Sequence, residues 1–379
     1  MNQDLGRHPL PKIESITVRT VCVPRSSHNR ITTTYGTLPD AHFALVFVTA
    51  DGVTGVGEAS TEQWWTGEDA HSVRHTVETF LAPVLVGKQV GIRQAMTFMN
   101  GNVTGQYYAK AAVEMALWDL LGKQSNMPLH VLLGGGDTSP VPIKYVIGMA
   151  SAKQLQEQVD YGRSLGFNYF KTKVGTELSA DLERVSVITD MLEPGESLGV
   201  DAQAGWSPVV AHASLKPLVD RGVSFLEQPV SPNHSRAMGD LMARAELPIV
   251  AHESMFGIRD AMDALRFPVA DIWALTPSTH GGISNTTDLL ALARAAGIPC
   301  LLGSNIELGV STAMMLQLAA AFPEFRECPV PSDIIGPLYH QGDVIREQPT
   351  VRDGHIEVPT GPGLGIELDL EAIYRFETT

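Results

Sequence analysis

The chain has 379 residues, 44% hydrophobic and 18% charged, which is enough apolar material for a large core and more than one domain. Its 42 acidic residues against 27 basic ones give a formal charge of -15, and no cluster of Lys or Arg stands out, so nucleic acid and anionic membrane are excluded as main partners. Three distant cysteines (Cys22, Cys300 and Cys328) in no metal-ligand spacing, an N-terminus without an apolar signal core, and no apolar run near the ~20 residues of a bilayer span make a cytoplasmic location the expectation.

In chain order, residues 16–24 (ITVRTVCVP), 43–52 (FALVFVTADG) and 54–60 (TGVGEAS) are β-rich runs broken by Asp-Gly and Gly, the pattern of a meander. Residues 71–85 and 109–124 follow with Ala, Leu and Met at helical spacing, until Leu132-Leu133-Gly134-Gly135-Gly136 stops the pattern. This predicts an α+β domain over residues 1–135. Beyond it, short apolar strands alternate with helices: VPIKYVIGM, YFKTKV, SLGVDAQ, VSFLEQPV, LPIVAHES, ADIWAL and IPCLLGSN. Alternation of this kind implies parallel strands joined by helical crossovers. The steps from Lys173 to Asp201, Glu227, Glu253 and Thr276 are 28, 26, 26 and 23 residues, each the length of one βα unit. Polar residues recur at the C-terminal end of strand after strand, whereas an open doubly wound sheet gathers its ligands at one switch point, so a closed barrel over residues 136–341 is expected. Residues 342–379 form a tail that returns to the first domain.

Three carboxylates stand at successive strand ends: Asp201 in GVDAQAGW, Glu227 in FLEQPV and Glu253 in IVAHES. Converging anions repel, so they are stable together around a cation or well-placed lysines. All-oxygen ligation without Cys suits a hard ion, Mg²⁺ first and Mn²⁺ second. His252, one residue before Glu253, should by alternation leave the face that Glu253 uses, as a core or supporting histidine. The stretch FKTKVG places Lys171 and Lys173 on one strand face, looking at these carboxylates. A lysine near a divalent cation and a second lysine has its charged form disfavoured, which brings its pKa toward that of a general base.

These residues resemble the enolase superfamily, in its muconate-lactonizing and mandelate-racemase-like branch, over nearly the whole chain. The resemblance implies a capping α+β domain and a modified TIM barrel, (β/α)7β. It also implies Lys-x-Lys on the second strand at Lys171 and Lys173, and metal ligands at Asp201, Glu227 and Glu253 on the third to fifth. In such enzymes Mg²⁺ binds a substrate carboxylate, a lysine removes the adjacent proton, and the cation stabilises the resulting enolate. Lys173 would be the base and Lys171 its neutralising neighbour. A homo-oligomer is implied as well.

Two positions depart from the pattern. PIVAHES has His252 where Ala-Asp-Glu-Ser has Asp, and counting back five from Gly281 in ALTPSTHGG lands on Thr276, where lactonizing enzymes and many epimerases carry a second lysine. The seventh strand, LLGSNIELG, offers Asn305 and Glu307 but no His. Loss of one base argues against racemisation. It leaves one-base cycloisomerisation of a muconate or lactone type first and dehydration of a hydroxy acid or acid sugar second, with a non-catalytic metal- and carboxylate-binding barrel as the reading from another class. His280, four residues past Thr276, is the candidate replacement acid. Substrate choice is expected from SSHNRITTTYGT (Ser26 to Thr37) and STEQWWTGED (Ser60 to Asp69). There His28, Arg30 and Tyr35 would meet a polar or anionic group, and Trp64 and Trp65 would either wall off a ring or serve as packing.

Overall fold

A computed structural model describes residues 11–26 and 31–378. Its first sheet is an antiparallel meander of Ser15–Pro24, Asp40–Ala50 and Val53–Ser60, with Glu377–Thr378 added at the far edge beside the first strand. The Asp51-Gly52 signal becomes the two-residue hairpin turn between the second and third strands. Both residues have positive φ, 51° and 73°, as a turn that matches strand twist requires.

Both faces of this sheet are covered, so its apolar residues split by alternation. Ala44, Val46 and Val48 join a cluster with the neighbouring helices, while Phe43 and Leu45 join the cluster of the barrel. The helix Tyr107–Ser125 crosses the sheet, and Gly55 and Gly57 let it do so: a Cβ on either would sit 2.0 Å from a backbone oxygen, of Ala116 and Ala112 respectively. The same helix is buried on nearly every side because its other flank meets the barrel. There Glu114 accepts the Ser284 N–H at 3.0 Å.

The second unit is a ring of seven parallel strands: Tyr145–Ile147, Tyr169–Lys173, Ser197–Asp201, Leu226–Glu227, Ile249–Ala251, Ile272–Leu275 and Cys300–Leu302. Each pairs with its sequence neighbour, without the strand-order reversal of a doubly wound sheet. Residues 331–333 fill the remaining gap. Ser332 O accepts Lys144 N–H at 3.1 Å on one side, and Asp333 N–H donates to Leu302 O at 2.8 Å on the other. The fold is thus a modified TIM barrel with an N-terminal cap. VPIKYVIGM, expected as one strand, divides into Val141–Pro142 and Tyr145–Ile147, because the first pair bonds with the C-terminal hairpin strand His355–Ile356 instead of the ring.

Cap and barrel are joined by buried acids. Glu58, at the end of the sheet, accepts the N–H groups of Leu308 at 2.9 Å and Ser311 at 3.0 Å, at the start of the helix Gly309–Ala321, where N–H groups lack intrahelical partners; burial outweighs these bonds and pushes its pKa up to about 8. Among the described residues no helix is long and apolar enough to cross a membrane.

Replacing Gly57 by Ala forces a methyl group into the Ala112 carbonyl and is expected to destabilise the protein by about 1–3 kcal/mol or more. Gly101, in the helix Ile92–Asn102, has nothing within 4 Å of its would-be Cβ, so Gly101→Ala should stabilise by about 0.5–1 kcal/mol. Thermal denaturation of the two variants checks the opposite signs.

Candidate active site

The second barrel strand ends at Lys173, and its alternation aims Lys171 and Lys173 into the barrel mouth on the cap side. The Lys171 ammonium is buried. It lies 3.0 and 3.2 Å from the two Glu227 oxygens, 2.7 Å from Asp333 Oδ2 and 3.5 Å from Asp201 Oδ2. Burial opposes its charge, but Asp333, Glu227 and Asp201 together outweigh that and hold its pKa well above the usual lysine value. Lys171 is thus a charged group surrounded by the anions Asp201, Glu227 and Asp333. Lys173 has a different setting: it lies 2.6 Å from Asp201 Oδ2, its side chain keeps 13% of its exposure, and it borders the cavity.

The carboxylates respond to these cations. Burial pushes the Asp201 pKa up, yet Lys173 and Lys171 win and hold it below the usual carboxylate range; Asp333 is held low in the same way by Lys144 and Lys171. Lys144, fully buried on the first barrel strand's approach, closes the network 3.2 Å from Asp333 Oδ1. Glu253 lacks such a partner. Burial, with Asp201 and Glu227 nearby, pushes it up to about 7 in spite of His252, and its buried Oε2 has no hydrogen-bond partner among the described residues.

The backbone at these strand ends is constrained. Gln203 and Gln228, two residues after Asp201 and one after Glu227, have φ of 47° and 37°, in the left-handed region. Gln228 Oε1 accepts the N–H groups of His252 at 2.9 Å and Ser254 at 3.1 Å, so the fourth strand fixes how the fifth presents its side chains. His252 departs from its expected direction for this reason: strand geometry ends at Ala251, and in the bend that follows both His252 and Glu253 reach the cavity. His252 Nδ1 is 3.0 Å from Glu227 Oε1, and Nε2 is 2.8 Å from Thr276 Oγ1.

Other expected residues divide into those at the cavity and those away from it. Tyr35, Trp64 and Trp65 line it as a stacked series, with ring centroids 3.9 Å and then 5.2 Å apart, and the edge of the series meets His252 at 4.6 Å. Asn305 also lines it, donating to Tyr108 Oη at 2.8 Å. Thr276 is buried beside His252 and does not border the cavity. His280 is turned away: its Nε2 is 2.7 Å from Met255 O, its Nδ1 is 3.3 Å from Thr286 Oγ1, and burial lowers its pKa to about 3, so it is a neutral packed histidine and no stand-in acid. Glu307 folds onto its own turn, accepting from Ser304 Oγ at 2.5 Å and Asn305 N at 2.7 Å. His28 and Arg30 lie outside the described residues.

Sequence reasoning passed over Arg25, Glu62, Gln203, Lys144 and Asp333. Arg25 lines the cavity, pairs with Glu62 at 3.4 Å, and keeps a buried Nη1 without a partner among the described residues. It sits directly after the first strand, one residue before the loop Ser26 to Thr37 expected to set substrate choice. Asp333 carries no strand pattern at all, since the closing segment makes only an isolated bridge to the ring.

As donors for a divalent cation, Asp201, Glu227 and Glu253 are of the right chemical type, and the unpaired Glu253 oxygen is the feature that asks for one. Among the described residues no three His, Cys, Asp or Glu side chains are gathered as a ready-made metal cluster, because Lys171, Lys173 and His252 take the carboxylate oxygens. Removing the central cation is the direct test of this balance. Lys171→Met strands buried carboxylates and is expected to cost about 3–5 kcal/mol, whereas Lys216→Met, which breaks an exposed pair with Asp220, should leave the melting curve unchanged.

Comparison with known proteins agrees with this architecture. Residues 15–134 match the model of the mandelate racemase / muconate lactonizing enzyme N-terminal domain, and residues 151–373 match that of the enolase C-terminal domain-like family. The chain is 31% identical to a chloromuconate cycloisomerase of Pseudomonas putida over 96% of its own length and 99% of the relative's. Two solved structures, each 29% identical to it, superpose closely. The 2-chloromuconate cycloisomerase of Rhodococcus opacus 1CP has a TM-score of 0.93, covering 97% of this chain and all of that one. The L-Ala-D/L-Glu epimerase of Bacillus subtilis has 0.89, covering 95% of this chain and all of that one. The chain is therefore an enzyme of the mandelate racemase and muconate lactonizing enzyme branch of the enolase superfamily.

Proposed function

We propose that the protein is an isomerase that moves a proton at the carbon next to a carboxylate with a single base, a cycloisomerase of the muconate and lactone type, and that Lys173 is that base. The observation that carries this reading is the asymmetry of the cavity. Lys173 borders it with one carboxylate partner, while the opposite position is Thr276, turned to His252, and His280 is engaged elsewhere. A reaction that returns the proton on the other face needs a second group, and among the described residues neither Thr276 nor His280 is placed to supply it. The epimerase among the solved structures has the same fold, so the distinction rests on these side chains and not on the barrel.

In the lactonizing direction, one substrate carboxylate oxygen adds to a carbon of the conjugated double bonds, and the electron pair moves to the carbon next to the other carboxylate. The Lys173 ammonium delivers its proton there; in reverse, the neutral amine takes that proton back. Lys171 stays charged among its three carboxylates and supplies fixed positive field. Asp201, Glu227 and Glu253 would hold Mg²⁺, or Mn²⁺ in its place, and the ion when bound supplies positive charge to the substrate carboxylate and to the charge that develops next to it. Tyr35, Trp64 and Trp65 offer a flat wall for a conjugated chain. Arg25, whose buried Nη1 has no partner among the described residues, offers a cation for a second carboxylate, which suits a dicarboxylate such as a muconate.

Steady-state kinetics on a panel of muconates and lactones test the reading. Lys173→Met is expected to lower kcat by about 10²–10⁴ with the melting temperature and metal content retained. Full activity of that variant on a substrate turned over by the wild type would refute the assignment. Arg25→Met should raise KM for dicarboxylates more than for monocarboxylates.

A further inference from the structure

We propose that Arg25 and the turn at residues 304–307 form a distal subsite of the cavity, in which Asn305 Oδ1 accepts a hydrogen bond from a hydroxyl or N–H that the substrate carries beside its second carboxylate. The inference rests on the dicarboxylate reading of Arg25, and goes beyond it by giving that end of the substrate a donor.

The turn follows the barrel strand Cys300–Leu302 and is held against the preference of its own backbone. Ile306 has φ of 59°, in the left-handed region that a β-branched residue rarely enters. Side chains impose it: Ser304 Oγ accepts the Ile306 N–H at 2.8 Å, the Ile306 carbonyl accepts from His340 Nε2 at 2.9 Å, and Glu307 accepts from Ser304 Oγ at 2.5 Å and Asn305 N at 2.7 Å. Gly336 leaves the room for this, since a Cβ there would lie 1.9 Å from Glu307 O. Strain of this kind persists only where the surroundings over-determine it, and it collects at ligand clamps. Arg25 belongs to the same corner, because its backbone bridges to His340, whose ring holds Ile306.

Within this corner Asn305 has only its oxygen left over. Its Nδ2 lies 2.8 Å from Tyr108 Oη, 3.3 Å from Ser278 Oγ and 3.5 Å from Ser60 O, and a carbonyl can only accept, which sets the amide nitrogen on that side. Oδ1 is buried without a partner among the described residues, on a side chain that borders the cavity. The carboxylates nearby are taken: Glu62 by Arg25 at 3.4 Å and by Trp64 Nε1 at 2.9 Å, and Glu307 by its own turn. The corner therefore lacks one acceptor for Arg25 Nη1 and one donor for Asn305 Oδ1. A bare carboxylate supplies the first alone. A carboxylate with a hydroxyl or N–H beside it supplies both, and a site built to bond such a group penalises the ligand that lacks it.

Matched dicarboxylates that differ in this donor are the probe: 2-hydroxyglutarate, 2-hydroxyadipate and 3-hydroxyadipate, each against its fluoro counterpart of similar size, and N-acetylglutamate against its ester isostere. Dissociation constants are measured by isothermal titration calorimetry in the presence of Mg²⁺. In at least one pair the donor-bearing member is expected to bind about tenfold or more tightly. Asn305→Ala should bring that ratio to within about twofold with circular dichroism unchanged. Arg25→Met should weaken both members alike and keep the ratio. Equal binding within every pair by the wild type, with affinity still lost in Arg25→Met, overturns the Asn305 assignment and leaves the dicarboxylate reading standing. Affinity untouched by Arg25→Met overturns both, as does failure of the folded wild type to bind any of these dicarboxylates. An Asn305→Ala variant that weakens both members equally has lost a structural contact only, and this too overturns the inference. Should Asn305→Ala not fold, the wild-type pairs decide alone.

Discussion

The Lys171 ammonium is the point on which the barrel mouth balances. Asp201 comes from the third strand, Glu227 from the fourth and Asp333 from the closing segment, and all three reach this buried ammonium. Isolated ions of either sign would be far too costly in this interior, so the network holds only as a whole. Lys144, just before the first barrel strand, extends it to Asp333, and Lys173 extends it outward to the cavity. The segment that closes the ring lacks a regular strand, and it gains its anchor from these ion pairs. Barrel closure and the charge at the cavity mouth thus draw on the same groups.

The cap is held in register with this mouth by a second group of buried acids that grip backbone N–H groups. Glu58 and Glu114 each reach a barrel helix start, and Gly282, whose Cβ would lie 2.0 Å from Glu114 Oε2, leaves room for the second of these contacts. Asn305, three residues past the seventh strand, completes the junction at Tyr108. The last member of the aromatic series on the cap meets His252, with ring centroids 4.6 Å apart.

Much of this was legible in the sequence because it follows from period and spacing. Repeats of 23 to 28 residues announced βα units, and alternation placed both lysines on one face. Legibility failed where regular geometry stops. Alternation cannot be carried past Ala251, so His252 was aimed the wrong way. Asp333 lies in a segment with no periodic signal, and Arg25 stands at a strand end whose neighbours only the folded cap supplies. Whether a histidine such as His280 faces a cavity or a carbonyl is decided by packing, which a spacing from Gly281 does not encode.

The central claim is that one face of the substrate meets a base and the other does not. Incubation of racemic α-substituted carboxylates, including lactones and N-acyl amino acids, with metal-loaded enzyme in D₂O tests it directly, with the α-proton followed by NMR. The account predicts deuterium exchange in one enantiomer of an accepted substrate and none in its mirror image. Exchange in both, with loss of optical activity in the enantiopure compound, would contradict it.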